Sequence, residues 1–351
     1  MKSTVSLQRR GYDLGQASID EVCDQPSNWA AGKPTLIKNL CSDGLSDYAD
    51  QIQQSKFLYQ AILDDQECQH LLDQSPYSER LSSSFECLGS SVNEGDDQEI
   101  ETIVFDAVKG DKILAEDLWV KVSWLSFYEE DASLRFRFSF GVDLQEDVAA
   151  DVQRQQYAAQ LTDAVFPESQ LITQNTDLDS TLKNILSSES VRFVERIVYF
   201  NAPQGGAYLH HDRERGHAGV VYTQVSGSTF WLALSKQQLI SEILYYVGNC
   251  QVDEWPKGFN SESKHELIAL VNKPTLLSAE LETFANNTLI NLINQTPEFI
   301  QQLCKRGHAR ILNPGDALLL PQEGEMSCCW HSVFCIGEDT GQALSFAIRS
   351  D

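Results

Sequence analysis

Positive charge is scarce in this chain. Its 351 residues hold 26 Lys and Arg against 51 Asp and Glu, a formal net charge of −25. Phosphate contacts need a basic surface, so the balance argues against generic nucleic-acid binding and against anionic membrane surfaces. Net charge speaks to solubility rather than to fold. The acidic excess therefore reads as a solubility device or a mark of a saline habitat, with a basic substrate drawn in by the acidic field as the alternative. Long apolar runs are missing too. Stretches such as "ALLLP" and "LIALV" are far too short to cross a bilayer. The opening "MKSTVSLQRRGYDLG" has no apolar core of the signal-peptide kind. The expectation is a cytoplasmic protein. Nine cysteines are present, but no C-x-x-C pair, which speaks against a structural zinc site and a disulfide framework. Cys328 and Cys329 are adjacent and cannot readily bridge each other; they are expected to be buried small hydrophobes.

What is present suggests two kinds of structure. Residues 1–112 read as a mixed, mainly helical region. "YADQIQQSKFLYQAILDDQECQHLLDQ" spaces Ile52, Phe57, Leu58, Ile62 and Leu63 as a helix does. "SSSFECLGSSVNEGDDQEIE" reads as an exposed loop, its acidic cluster a solvated tip. From about 113 the pattern alternates. "LWVKVSWLSFYEE" and "SLRFRFSFGVDL" predict a hairpin, with Leu134, Phe136, Phe138 and Phe140 on one face and Arg135 and Arg137 on the other. Helices fit "EDVAADVQRQQYAAQLTDAVF" and "STLKNILSS". Strands return from "VRFVERIVYFNAP" to "STFWLALS", give way to helices over 236–306, and close the chain from "ARILNP" onward. Residues 113–351 thus read as one β domain interrupted by a helical insertion. The fold class expected is α+β, with a jelly roll rather than a parallel sheet with crossover helices.

Three of the seven histidines crowd into "YLHHDRERGHAGVVY". Side chains alternate along a strand, so His210 and Asp212 can share a face while His211 turns away. His217 falls in a loop and reads as solvated, as do Arg213 and Arg215. A third ligand must come from far along the chain, where His265, His308 and His331 are available. His265 has charged neighbours and reads as a surface residue, and His308 stands at the entry to a strand. The "NPGDALLLP…WH" hairpin can carry His331 to the mouth of the β domain. Two histidines and a carboxylate form the facial triad of non-haem Fe(II) oxygenases. Trp231 and Trp330 read as core or pocket wall.

These stretches resemble a known family. "RIVYFNAPQGGAYLHHD" is similar to the strand, glycine loop and H-x-D entry of Fe(II)/2-oxoglutarate dioxygenases. "QVSGSTFWLALS" and "NPGDALLLP…WH" resemble strands of the JmjC/cupin-like hydroxylases, and "ALSFAIRS" resembles the closing strand of many 2-oxoglutarate oxygenases. The resemblance implies a double-stranded β-helix, with Fe(II), 2-oxoglutarate and O2 as cofactors. It implies His210, Asp212 and His331 as the iron ligands. Arg349 would grip the far carboxylate of 2-oxoglutarate, a pairing that suits a planar guanidinium. Tyr199 and Asn201 would hydrogen-bond the co-substrate. Thr229 stands where these hydroxylases usually carry a lysine and would be a helper; Ser350 does not share the face of Arg349. The activity implied is hydroxylation of an unactivated C–H in a small-molecule or peptide substrate, with neither nucleic acid nor membrane as partner and room for a homodimer. Two alternatives stand beside it: a cupin-type metalloenzyme without 2-oxoglutarate, and a non-catalytic acidic interaction module.

Overall fold

Alternating apolar residues build most of this molecule, and the strands come in an order that brings distant segments together. The computed structural model describes residues 2–20, 26–126, 131–141, 148–213, 216–250, 255 and 258–350. Its early strands are β1 (Lys2–Arg9), β2 (Tyr12–Asp20), β3 (Thr35–Ile37), β4 (Phe85–Ser91) and β5 (Glu99–Lys109). Next come β6 (Lys112–Trp124), β7 (Leu134–Phe140), β8 (Val191–Asn201), β9 (Gly206–His210) and β10 (Gly219–Ser226). The last are β11 (Ser228–Ser235), β12 (Ala309–Leu312), β13 (Ala317–Pro321), β14 (Cys329–Ile336) and β15 (Gly341–Ser350).

They form a nine-stranded sheet in the order β3-β13-β10-β15-β8-β7-β6-β5-β4 and a four-stranded sheet in the order β12-β11-β14-β9. β1 and β2 pair separately. The result is a mixed α/β fold with large antiparallel sheets, of the β-sandwich or jelly-roll kind. Val220, Tyr222, Trp231, Leu318, Val333 and Ala343 belong to one core cluster drawn from both sheets. The neighbouring residues on the same strands point outward. Phe230, Leu232, Trp330 and Phe334 pack beneath the helices of the insertion. Val221, Leu344 and Phe346 pack with the helices of the N-terminal half.

The expected hairpin of β6 and β7 forms, with Leu134 opposite Trp124. Its turn, at 127–130, lies outside the described residues. Phe136 and Phe138 face the outer core, where Phe136 and Phe166 stand edge to face at 5.1 Å, and Tyr59 stacks on Phe200 at 5.0 Å. Such pairs add about 0.5–1.5 kcal/mol each beyond the area they bury. The insertion is helical as expected and begins at Lys236–Asn249. Ser235 caps that helix in a capping box with Gln238, so the chain leaves β11 directly into a helix. Among the described residues no helix is long and apolar enough to cross a membrane.

Three expectations need correction. The N-terminal region is not mainly helical: β1 to β5 lie in it, alongside the helices Ala49–Leu63 and Cys68–Leu72. The boundary set at 112 falls inside the β5–β6 hairpin, where Lys109 pairs with Lys112. Half of the expected loop is strand, with an exposed turn over 92–98, and Glu101 is buried, accepting hydrogen bonds from the N–H groups of Cys68 and Gln69 at 2.6 and 3.2 Å. Its carboxylate thereby satisfies the first turn of a helix, the place where negative charge is stabilised.

Candidate metal centre

β9 and β14 lie side by side, and His210 is the direct cross-strand partner of His331. Their rings stand 4.3 Å apart between centroids. The chain then places Asp212 beside both. Its Oδ1 is 3.8 Å from His210 Nε2, and its Oδ2 is 3.5 Å from His331 Nε2. The three ligand atoms all fall within 4.8 Å of one another.

The tautomers suit a metal. His210 Nδ1 is 2.6 Å from the carbonyl of Tyr208, and His331 Nδ1 is 3.3 Å from the carbonyl of Cys329. A carbonyl only accepts, so each Nδ1 carries the hydrogen and each Nε2 keeps a lone pair turned toward Asp212. Burial, aided by the neighbouring His210, pushes the His331 imidazole down to about 4. It is neutral at pH 7 and has no proton to displace before ligating.

The close approach of β9 to β14 depends on the glycine loop. A Cβ on Gly206, whose φ is +152°, would sit 2.2 Å from the carbonyl oxygen of Val333. A Cβ on Gly205 would meet the Asp131 carboxylate at 2.1 Å. Gln322, just past β13, ties the ligand-bearing segments to each other. Its Oε1 accepts from the Asp212 N–H at 3.2 Å, and its Nε2 donates to the Cys329 carbonyl at 3.2 Å. Gln322 is 1% exposed, so both bonds are made out of water.

The three candidate ligands line a cavity of about 830 Å³. Tyr199, Tyr222, Trp231 and Val333 form apolar wall beside them. Trp231 stacks on His331 at 5.8 Å and meets Tyr222 edge-on at 4.5 Å. Asn201 also lines the cavity and donates to the Tyr222 hydroxyl at 3.1 Å, while its own Oδ1 is buried without a partner. Burial, with the nearby Asp212 charge, raises the Tyr199 hydroxyl well above its ordinary value. It stays protonated and is a donor.

His210, Asp212, His331, Tyr199 and Asn201 thus meet at one cavity. Thr229 and Arg349 do not line it. The Thr229 hydroxyl accepts from Trp231 Nε1 at 2.9 Å and donates to Gln224 Oε1 at 2.8 Å, so Trp231 stands between it and the cavity. Arg349 lies at the end of β15 with its guanidinium against Gly216. Neither residue is among those that line the cavity. His217 is a correction: it is buried rather than solvated, lines the cavity, and sits 3.2 Å from Glu195. His211 turns away from the ligands, as parity requires, and meets Glu282. Arg213 is paired with the same carboxylate at 3.2 Å, and Arg215 lies outside the described residues. His265 is exposed, and His308 bonds Glu242 at 3.1 Å. Trp330 belongs to the outer core, and Cys328 and Cys329 are buried thiols.

Sequence reasoning missed Gln322, Glu195 and the cations of the inner wall. Arg135 and Arg137 were legible as one face of β7; nothing in the pattern said that this face lines a cavity.

No protein-family profile matches the chain, and no curated protein sequence matches it. Among solved structures, the chain is similar to the ribosomal oxygenase YcfD of Escherichia coli, at 12% identity and a TM-score of 0.25 over 79% of this chain and 44% of that one. A second structure of E. coli YcfD gives 13% identity and 0.26, over 79% and 46%. This chain therefore spans under half the length of those matches. An oxidoreductase of the 2OG-Fe(II) oxygenase family from Burkholderia pseudomallei gives 8% identity and 0.31, over 94% of this chain and 92% of that one. Likeness at this level is too slight to argue from, and the site's own geometry carries the functional reading.

Proposed function

We propose that the chain is an Fe(II)- and 2-oxoglutarate-dependent oxygenase that hydroxylates an unactivated C–H of its substrate. The observation that carries this reading is the convergence of His210, Asp212 and His331 at the wall of a cavity wide enough for organic ligands. Two imidazoles and one carboxylate leave open positions on an iron ion for a chelating co-substrate and for oxygen. The strand order adds support. β8 to β15 are shared between the two sheets in the orders β13-β10-β15-β8 and β12-β11-β14-β9. That order supports the reading of a double-stranded β-helix, with the candidate ligands near one end.

When bound, Fe(II) would supply the oxygen chemistry, with 2-oxoglutarate as the electron source and succinate and CO2 as its products. The chain's own residues do the rest. The Nδ1 hydrogens of His210 and His331 fix both rings toward Asp212. The protonated Tyr199 and the Asn201 amide offer hydrogen bonds to a carboxylate held between the sheets. Trp231 and Tyr222 wall the inner side of the site, beside the buried His331.

Fe(II) and 2-oxoglutarate added together without oxygen should give a weak visible charge-transfer band, and turnover should release succinate. Iron binding without the band favours a metalloenzyme that uses no 2-oxoglutarate. One observation keeps that second reading in view: neither Arg349 nor Thr229 reaches the cavity.

A further inference from the structure

The cavity runs against the charge of the molecule that holds it. In a chain of net charge −25, five cations line it: Arg9, Arg10, Lys121, Arg135 and Arg137. They are not equivalent. Lys121 is neutralised by Asp96 at 2.8 Å and Glu99 at 2.6 Å. Arg137 is held by Glu195 at 2.6 Å. The Arg9 guanidinium lies over the Tyr208 ring at 4.0 Å. The side chains of Arg10 and Arg135, by contrast, make no hydrogen bond or ion pair among the described residues, and Arg10 Nε is buried.

The carboxylates of the cavity are committed elsewhere. Asp96 and Glu195 serve Lys121 and Arg137. Asp131 accepts from the N–H and hydroxyl of Ser133 and from the N–H of Gly206. Asp212 belongs to the metal cluster. By formal charge the five cations balance these carboxylates and Glu99, so the cavity lacks the acidic excess of the rest of the chain, and a bound divalent ion would tip it to a cationic surplus. Arg10 and Arg135 are both half-buried, so water meets part of their hydrogen-bonding need and an anionic ligand can meet the rest. A protein with twice as many acids as bases has partners to spare, yet pairs neither of these two.

Arg135 stands on β7 as the cross-strand partner of Tyr199, the wall residue already placed beside the metal cluster. Arg10 comes from the β1–β2 turn, fixed where its N–H donates to the Gln204 carbonyl at 3.1 Å, just before β9. Two guanidinium forks from different sheets thus open on one cavity, the geometry that suits bidentate pairing with an oxyanion.

We propose that Arg10 and Arg135 form an oxyanion subsite, taking a carboxylate or phosphate of a ligand bound beside the metal cluster. The organic substrate can supply that group, and so can the far carboxylate of the 2-oxo acid; the chemistry at the guanidinium is the same. The subsite rests on the oxygenase reading only for what the ligand goes on to do. The acidic exterior does not oppose it, because exposed charges are screened beyond about 8 Å at physiological salt.

The test uses the full chain stripped of metal by a chelator, so that it stands apart from the metal reading. Glutarate, inorganic phosphate and the uncharged glutaramide are titrated by calorimetry. At least one anion should bind about tenfold or more tighter than glutaramide, and R10Q and R135Q should each lose about tenfold or more of that affinity, the scale of a charged hydrogen bond. R349Q should lose none, and R135K should keep part. Unfolding temperatures of all variants show that the fold is intact. Anions that bind no tighter than glutaramide, or that bind the R10Q/R135Q double variant as well as the wild type, overturn the subsite. A second arm loads the protein with Mn(II) and compares 2-oxoglutarate with 2-oxobutyrate, which lacks the far carboxylate. Selectivity for 2-oxoglutarate that R135Q abolishes assigns the subsite to the co-substrate. Selectivity unchanged in R135Q assigns it to the substrate. If metal fails to bind at all, the oxygenase reading falls while the first arm still decides the subsite.

Discussion

His211 Nε2 meets Glu282 Oε2 at 2.9 Å, although His211 sits in the chain between two candidate metal ligands. Glu282 lies on the insertion helix Pro274–Thr283. Its other oxygen bonds Lys236 Nζ at 2.5 Å, and Arg213 joins at 3.2 Å. Lys236 is fully buried at the start of the first insertion helix, Lys236–Asn249. Burial would raise the Glu282 carboxyl, but the hydrogen bonds from Lys236 and His211 outweigh it and hold it below its ordinary value. The insertion therefore grips the back of the strand end whose front carries the ligands.

Removing that grip should be expensive. Glu282→Ala leaves the Lys236 ammonium buried against only the more distant Glu325, at 3.8 Å. The expected loss is about 3 kcal/mol of folding stability, the scale for breaking a buried pair from one side. Urea unfolding measures it. The double variant Lys236→Met/Glu282→Leu should recover most of the loss, because it removes both charges together.

Gln322 offers a test that separates positioning from folding. Gln322→Leu keeps the volume but breaks the bonds to the Asp212 N–H and the Cys329 carbonyl. Metal affinity should fall about tenfold, as for other groups that orient ligands. Calorimetric titration of Mn(II) reads the affinity, and an affinity equal to wild type would remove Gln322 from the account.

Gly206→Ala asks whether the two ligand strands need their close approach. The added Cβ would collide with the β14 backbone at Val333, which cannot move aside as a side chain can. A positive φ adds strain for any residue with a Cβ. The variant should unfold at a markedly lower temperature and bind metal more weakly than wild type.

Acid should loosen the insertion from the β domain at His308 and Glu242. Burial lowers the His308 imidazole below its ordinary 6.5, with the Glu242 bond opposing. Burial would raise Glu242, but bonds from Arg306, His308 and Gln302 pull it below its ordinary range. Both groups therefore bind protons more readily unfolded than folded. Their contribution is complete above about pH 6.5 and is lost as pH falls, first through the histidine range and then through the carboxylate range. Unfolding temperature should decline from pH 7 to pH 4; in Glu242→Gln the part in the histidine range should steepen, because the bond that opposes burial at His308 is gone, while the part in the carboxylate range should shrink.

The grouping of His210, Asp212 and His331 was the most legible part of this sequence. Strand parity separates His210 and Asp212 from His211, and the "NPGDALLLP" turn brings His331 back alongside. Parity also assigned the faces of β7, but a period of two cannot say which face is covered and which lines a cavity, so Arg135 and Arg137 passed as ordinary polar positions. β4 was hidden for a different reason. It is an edge strand whose residues beyond Phe85 are mostly exposed or half-buried, so its Ser and Gly read as loop. The closing strand is present and ends at Ser350, and its Arg349 is not among the residues that line the cavity.

His210, Asp212 and His331 are proposed to hold one metal ion. Equilibrium titration of Fe(II) without oxygen tests it most directly, in the wild type and in His331→Ala and Asp212→Ala. One ion per chain is expected in the wild type, with affinity lost by orders of magnitude in both variants while their unfolding temperatures show an intact fold. Absence of binding in the wild type, or equal binding in the variants, would contradict the account.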